Sequence, residues 1–140
     1  MGQAAPAHEL TVEWGDCDEA GVVFYPNYFY WFDCGFQRLL RAHGLSQRLL
    51  RERFGAVTPL VEAAATFRTP ARYDDVLTVA ASVDRWEERR FRVAYRLSHG
   101  ETVVVEGHEV RAWARLDAAG RLRGAPVEAA FRKLLGGEGD

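Results

Sequence analysis

The chain has little of what would mark it as secreted, metal-bound or membrane-embedded. Two cysteines, Cys17 and Cys34, stand in 140 residues. They lack CxxC spacing, and two alone make no disulfide framework, so a reducing compartment is expected. The four histidines, His8, His43, His99 and His108, fall at no metal-ligand spacing, so neither a metal nor another cofactor is anticipated. No apolar run approaches the roughly 20 residues that span a bilayer. The opening Met1-Gly2-Gln3-Ala4-Ala5-Pro6 has neither the basic start nor the apolar stretch of an export signal. Eighteen basic against twenty acidic residues leave a formal charge of -2, so no global positive field recommends nucleic acid. These absences together suggest a soluble, unprocessed, cytoplasmic protein without nucleic-acid or membrane partners.

What is present is apolar material, 48% hydrophobic with 12% aromatic, enough for one packed domain over residues 1–140. From His8 to Trp14, Leu10, Val12 and Trp14 alternate with Glu9, Thr11 and Glu13, the period of a half-buried strand. After a loop from Gly15 to Gly21 the pattern changes. Tyr28, Trp31, Phe32, Gly35, Phe36 and Leu39 recur at helical spacing, with Pro26 at the start and Gly44 just past the end. Phe29 and Tyr30 fill the gaps, which predicts burial on most faces of the helix's first half. A more polar helix is predicted over Ser46–Phe54. Strands follow near Val57–Phe67, Val76–Trp86, Phe91–Ser98 and Thr102–Leu116, separated by turn residues and read as successive antiparallel hairpins. A short helix over Val127–Leu135 and a frayed tail, Gly136–Asp140, complete the chain. One long apolar helix with about five strands implies an α+β domain whose antiparallel sheet wraps the helix. Its long edges would be covered by pairing with a second copy.

Chemistry concentrates between the first strand and the long helix, in Gly15-Asp16-Cys17-Asp18-Glu19-Ala20-Gly21-Val22-Val23-Phe24-Tyr25-Pro26-Asn27-Tyr28. Three acids fall within four positions, and an apolar run leads straight into a helix start. Unpaired N–H groups there can stabilise an oxyanion, and a nearby carboxylate can attack a carbonyl or deprotonate water. Tyr25 retains an N–H to give, whereas Pro26 has none. On residue chemistry alone the plainer reading prevails, an acidic loop whose aspartates cap turns, because aspartate and glycine are ordinary turn residues. Asp16 fits such a loop-structuring role, and Cys17 fits that of a small buried thiol.

The segment resembles the 4-hydroxybenzoyl-CoA thioesterase family of hotdog proteins, whose signature Gly-Asp-Cys-Asp-x-Ala-Gly-[Ile/Val]-Val-[Trp/Phe]-Tyr-Pro-Asn-Tyr stands here as Gly15 through Tyr28. The similarity continues through Trp31, Asp33, Thr58-Pro59, Ala65-Thr66-Phe67 and Tyr73–Thr78. The resemblance implies a hotdog fold and an acyl-CoA thioesterase in which Asp18 is catalytic, as nucleophile or general base. It implies that the Tyr25 N–H meets the thioester oxygen, that Asp33 lies near the acyl end, and that Thr58 lines the acyl pocket. Arg89 and Arg90, or Arg121 with Arg123, are the candidates for CoA phosphate contacts; the resemblance favours the first pair, although Glu87-Glu88 stand where the family can have arginines. The expected substrate is an aryl-CoA such as benzoyl- or hydroxybenzoyl-CoA, with short-chain aliphatic acyl-CoA as the alternative. A noncatalytic acyl-CoA binder is the competing class, and a homodimer or homotetramer, with a pocket needing two chains, is the expected assembly. A hotdog dehydratase would need a histidine near the central helix, and His43 sits at that helix's far end.

Overall fold

The computed structural model describes residues 7–137. The start through Pro6 and the last three residues of the expected frayed tail lie outside them. In chain order the elements are β1 (His8–Thr11), a single 3-10 turn (Trp14–Asp16), α1 (Pro26–Ala42), α2 (Gln47–Phe54), β2 (Ala56–Val57), β3 (Leu60–Phe67), β4 (Val76–Trp86), β5 (Arg90–His99), β6 (Thr102–Ala112), β7 (Ala114–Leu116), β8 (Leu122–Gly124) and α3 (Ala129–Leu134).

Pro26 opens α1, where its fixed φ suits the first turn and its missing N–H costs nothing. Tyr28, Trp31, Phe32, Gly35, Phe36, Leu39 and Leu40 are buried at three- and four-residue spacing and face a five-stranded antiparallel sheet, ordered β1-β4-β5-β6-β3. The sheet presents its own alternating set, Leu77, Val79, Ala81 and Val83 on β4, then Phe91, Val93, Tyr95 and Leu97 on β5. Two glycines let helix and sheet approach closely. A Cβ on Gly35 would sit 3.3 Å from Val79, and one on Gly107 would meet the Phe32 ring at 2.5 Å. Phe32 in turn stacks on Tyr95, with centroids 4.6 Å apart. Burying each such Phe or Leu contributes about 1.5–3 kcal/mol, so this interface dominates the stability of the core. The helix is not enclosed all round as its sequence predicts: Tyr30 is 66% exposed, because the sheet covers one side only.

Three boundaries also differ from the sequence reading. The first strand ends at Thr11, and Trp14 enters the 3-10 turn with its side chain exposed. The Val57–Phe67 segment breaks at Thr58-Pro59, so that β2 pairs with β7 while β3 pairs with β6. The Thr102–Leu116 segment breaks at Trp113, whose fully buried indole packs on Phe131 and Phe54 as the chain passes to a small β2-β7-β8 sheet. Successive hairpins join β4, β5 and β6, and a short one joins β7 to β8, whereas β3 does not pair with its neighbour in sequence, β4. β3 lies at the far edge, so residues 68–75 must cross the sheet to reach β4. That crossing segment pairs with the acidic loop, Val23 N–H donating to the Ala71 carbonyl at 2.8 Å and Val22 bridging to Arg72.

Candidate active site

The loop from Glu13 to Tyr28 is held by its own backbone and by two of its aspartates. Asp16 accepts the Glu13 N–H on Oδ2 at 2.8 Å, and its carbonyl receives the Phe24 N–H at 2.9 Å and the Asn27 side-chain amide at 2.8 Å. Asp16 is therefore a loop-structuring carboxylate that also anchors the start of α1. Asp18 closes a tight turn, its N–H donating to Val22 and its carbonyl accepting from Gly21, both at 2.9 Å. Gly21 has φ +81°, a conformation that side-chain-bearing residues rarely adopt. The Asp18 Oδ1 accepts the Ala20 N–H at 2.9 Å, which fixes the carboxylate's direction, and Oδ2 has no partner among the described residues.

Asp18 stands at the wall between two clefts. One, of about 320 Å³, is lined by Asp18, Val23, Tyr25, Tyr28, Phe67 and Thr69. The other, of about 400 Å³, is lined by Trp14, Cys17, Asp18, Glu19, Gly21 and Tyr73. At the head of α1 the Phe24 N–H is taken by Asp16, the Asn27 N–H by Phe24 and the Tyr28 N–H by Tyr25. The Tyr25 N–H has no partner among the described residues, and Pro26 has none to offer. A residue with a free carboxylate oxygen and one with an unpaired amide thus line one largely apolar cleft, and such groups are the kind that attack a carbonyl and hold the charge that develops on its oxygen. The Tyr25 and Phe67 rings stand exposed on the same cleft, edge to face at 6.1 Å.

Asp33 lies elsewhere on the same chain, in a groove of about 420 Å³ beside β1, lined by His8, Tyr30, Trp31, Asp33, Gln37 and Arg38 among others. Burial, with the Arg38 charge adding to it, holds the His8 imidazole below its ordinary value. Behind Asp33 runs a network that the sequence reading missed. Arg111, only 7% exposed, donates to Asp33 Oδ1 at 2.8 Å, to Glu109 Oε1 at 3.0 Å and to the Thr58 carbonyl at 3.0 Å. Glu109, 3% exposed, also accepts the Tyr95 hydroxyl at 2.6 Å. Burial and the Glu109 charge push the Tyr95 phenol far up, so it stays a donor. The legible signal was strand parity: Glu109 and Arg111 occupy the same inward positions of β6 as Val105 and Gly107, and charges there require partners.

The other expected residues are more dispersed. Thr58 is buried, its hydroxyl donating to Gln47 Oε1 at 3.2 Å and its carbonyl accepting from Arg111, so it connects to Asp33 through Gln47 and Gln37 on one side and Arg111 on the other. Arg89 and Arg90 sit at the β4–β5 turn, where Arg89 donates to the Gly124 carbonyl at 3.1 Å and faces Glu88 at 3.6 Å. Neither arginine lines the clefts at Asp18 or the groove at Asp33. Among the described residues, no group of three or more His, Cys, Asp or Glu side chains is placed to hold a metal ion.

Comparison with known proteins gives this geometry a family. Residues 12–135 match the model of the thioesterase-like superfamily. The chain is 34% identical over 133 residues to 4-hydroxybenzoyl-CoA thioesterase of Pseudomonas sp. (strain CBS-3), covering 90% of this chain and 94% of that one. It is 29% identical over 100 residues to the 1,4-dihydroxy-2-naphthoyl-CoA hydrolase of Thermosynechococcus vestitus, covering 70% and 68%. Among solved structures, an aspartate-to-asparagine variant of 4-hydroxybenzoyl-CoA thioesterase in complex with 4-hydroxybenzoyl-CoA superposes with a TM-score of 0.84 at 33% identity, over 93% of this chain and 97% of that one. The sheet wrapped on α1 is the hotdog fold that the signature implied, and the chain belongs to the thioesterase-like superfamily as a thioester hydrolase.

Proposed function

We propose that this chain, as a single hotdog domain acting in the cytoplasm, hydrolyses aryl-CoA thioesters with Asp18 as its catalytic carboxylate. The observation that carries the proposal is that Asp18, whose Oδ2 is free, and Tyr25, whose N–H is unpaired among the described residues, line one cleft with aromatic walls. In one route an Asp18 oxygen bonds to the thioester carbon, the C–S bond breaks, and CoA leaves as a thiolate that takes up a proton. Water then hydrolyses the mixed anhydride. In the other, Asp18 takes a proton from the water that attacks the same carbon, the C–S bond then breaks, and the departing CoA thiolate takes up the proton that Asp18 held. In both, the Tyr25 N–H stabilises the negative carbonyl oxygen, which is worth about 2.7–4 kcal/mol for a well-placed donor.

Asp33 is assigned to the far end of the acyl group. Because Asp18 and Asp33 line different cavities within one chain, the complete pocket joins the Asp18 cleft of one copy to the Asp33 groove of another. The edge strand β3 supports such pairing, since Leu60, Val61 and Phe67 stand exposed along it. A homodimer, or a dimer of dimers, is the proposed working unit, with Arg89 and Arg90 on its surface meeting CoA phosphates. The relatives named above act on hydroxylated aryl thioesters, which favours that class over short aliphatic ones. Release of free thiol from benzoyl-, 4-hydroxybenzoyl- and butyryl-CoA tests the reading. Faster turnover of the aryl esters is expected, and a preference for butyryl over benzoyl overturns the aryl assignment.

A further inference from the structure

The network behind Asp33 is more elaborate than an ion pair needs to be. Arg111 lies over the Phe36 ring, 4.6 Å from its centroid, and each of its three nitrogens has a fixed acceptor: the Glu109 carboxylate, the Thr58 carbonyl and Asp33 Oδ1. Glu109 is itself pinned, one oxygen taking the Tyr95 hydroxyl and the guanidinium together. From the groove side, Gln37 donates to the same Asp33 Oδ1 at 3.1 Å and is held in turn by Gln47 at 3.2 Å. Both bonds to the Asp33 carboxylate therefore fall on one oxygen. Oδ2 receives none among the described residues, and the side chain is 46% exposed to the groove. A surface carboxylate would sample several rotamers; this one is held from two sides with a single acceptor atom left open.

We propose that Arg111 and Gln37 are positioning residues that fix Asp33 so that its open oxygen accepts a hydroxyl on the acyl group, which makes them determinants of selectivity for hydroxylated over unsubstituted aryl-CoA. This rests on the aryl-CoA reading above. A planar fork is required for the task, because a lysine ammonium cannot hold three acceptors in the one plane set by Glu109, Thr58 and Asp33. Tyr95 and Glu109 serve at one remove, keeping the fork from rotating about its stem.

The test is the ratio of kcat/KM for 4-hydroxybenzoyl-CoA to that for benzoyl-CoA, measured on the full chain. A hydroxyl bonded to a charged acceptor makes the wild-type ratio about 10 to 100. Arg111→Lys keeps the buried charge but loses the fork, and lowers the ratio about tenfold while benzoyl-CoA turnover changes less than about threefold. Gln37→Leu, on the partly buried helix face, lowers it about threefold and tests the proposal even if Arg111→Lys fails to fold. A purely structural role for these residues would lower both substrates alike and leave the ratio unmoved, and that result overturns the inference. A wild-type ratio near one also overturns it while leaving aryl-CoA hydrolysis intact. No turnover of either aryl ester overturns the functional reading itself.

Discussion

Replacing Gly107 by alanine probes how closely α1 and the sheet approach. A Cβ at this position would lie 2.5 Å from the Ala64 carbonyl oxygen and 2.5 and 2.7 Å from two ring carbons of Phe32. Carbon atoms in packed interiors rest at about 3.5–4.0 Å, so a gap of roughly 1 Å must be made. The Ala64 oxygen belongs to strand β3 and is fixed by the β3–β6 ladder. Phe32 cannot swing aside, since it is fully buried and stacked on Tyr95. Overpacking of this kind costs about 1–3 kcal/mol, and a clash with backbone belongs at the upper end. Restricting the unfolded chain returns about 0.4–1 kcal/mol, leaving a net loss of about 2 kcal/mol. For a domain of this size that lowers Tm by about 6–8 °C. Urea unfolding at fixed protein concentration, with Gly124→Ala as control, measures it, because a Cβ on Gly124 meets nothing within 4 Å. A Gly107→Ala midpoint equal to the control's would refute the close approach.

Two further expectations concern the buried phenol and the sheet edge. The Tyr95 phenol holds its proton in the fold, whereas an unfolded tyrosine releases it above pH ~10. Stability therefore falls as pH rises past that value, and Tyr95→Phe should make the fall shallower by about 1.4 kcal/mol per pH unit, read from urea midpoints; an unchanged slope counts against it. Val61→Asp adds a charge to the exposed β3 edge beside Glu62 and should shift the mass seen by light scattering toward the monomer, with loss of thioesterase activity on dilution. A variant that keeps both mass and activity would argue against the shared pocket.

The helix and the hairpin strands were legible because their periods are undiluted. Pro26 and Gly44 bracket α1, and β4 and β5 alternate cleanly. The breaks at Pro59 and Trp113 were hidden, since they mark where strands change sheet, a long-range choice that local pattern does not encode. Exposure of Tyr30 was missed for a related reason: aromatic content predicts burial, yet a single chain leaves that flank of α1 open. Of the candidate site, the loop signature pointed to Asp18 and Tyr25 because the resemblance is carried by that one continuous segment. The Asp33 support was obscured because its parts come from α1, α2, β5, β6 and the break before β3, brought together by tertiary packing and by the register that sets Tyr95 and Glu109 on neighbouring inward positions.

The account turns most directly on turnover by Asp18→Asn. The amide is nearly isosteric and its oxygen still accepts the Ala20 N–H, so the loop and acyl-CoA binding should persist. Neither nucleophilic attack nor proton removal is open to it. Thiol release from 4-hydroxybenzoyl-CoA under single-turnover conditions should drop at least about 10²–10⁴-fold with binding retained. Hydrolysis near the wild-type rate by a folded Asp18→Asn protein would contradict the assignment of the chemistry to this carboxylate.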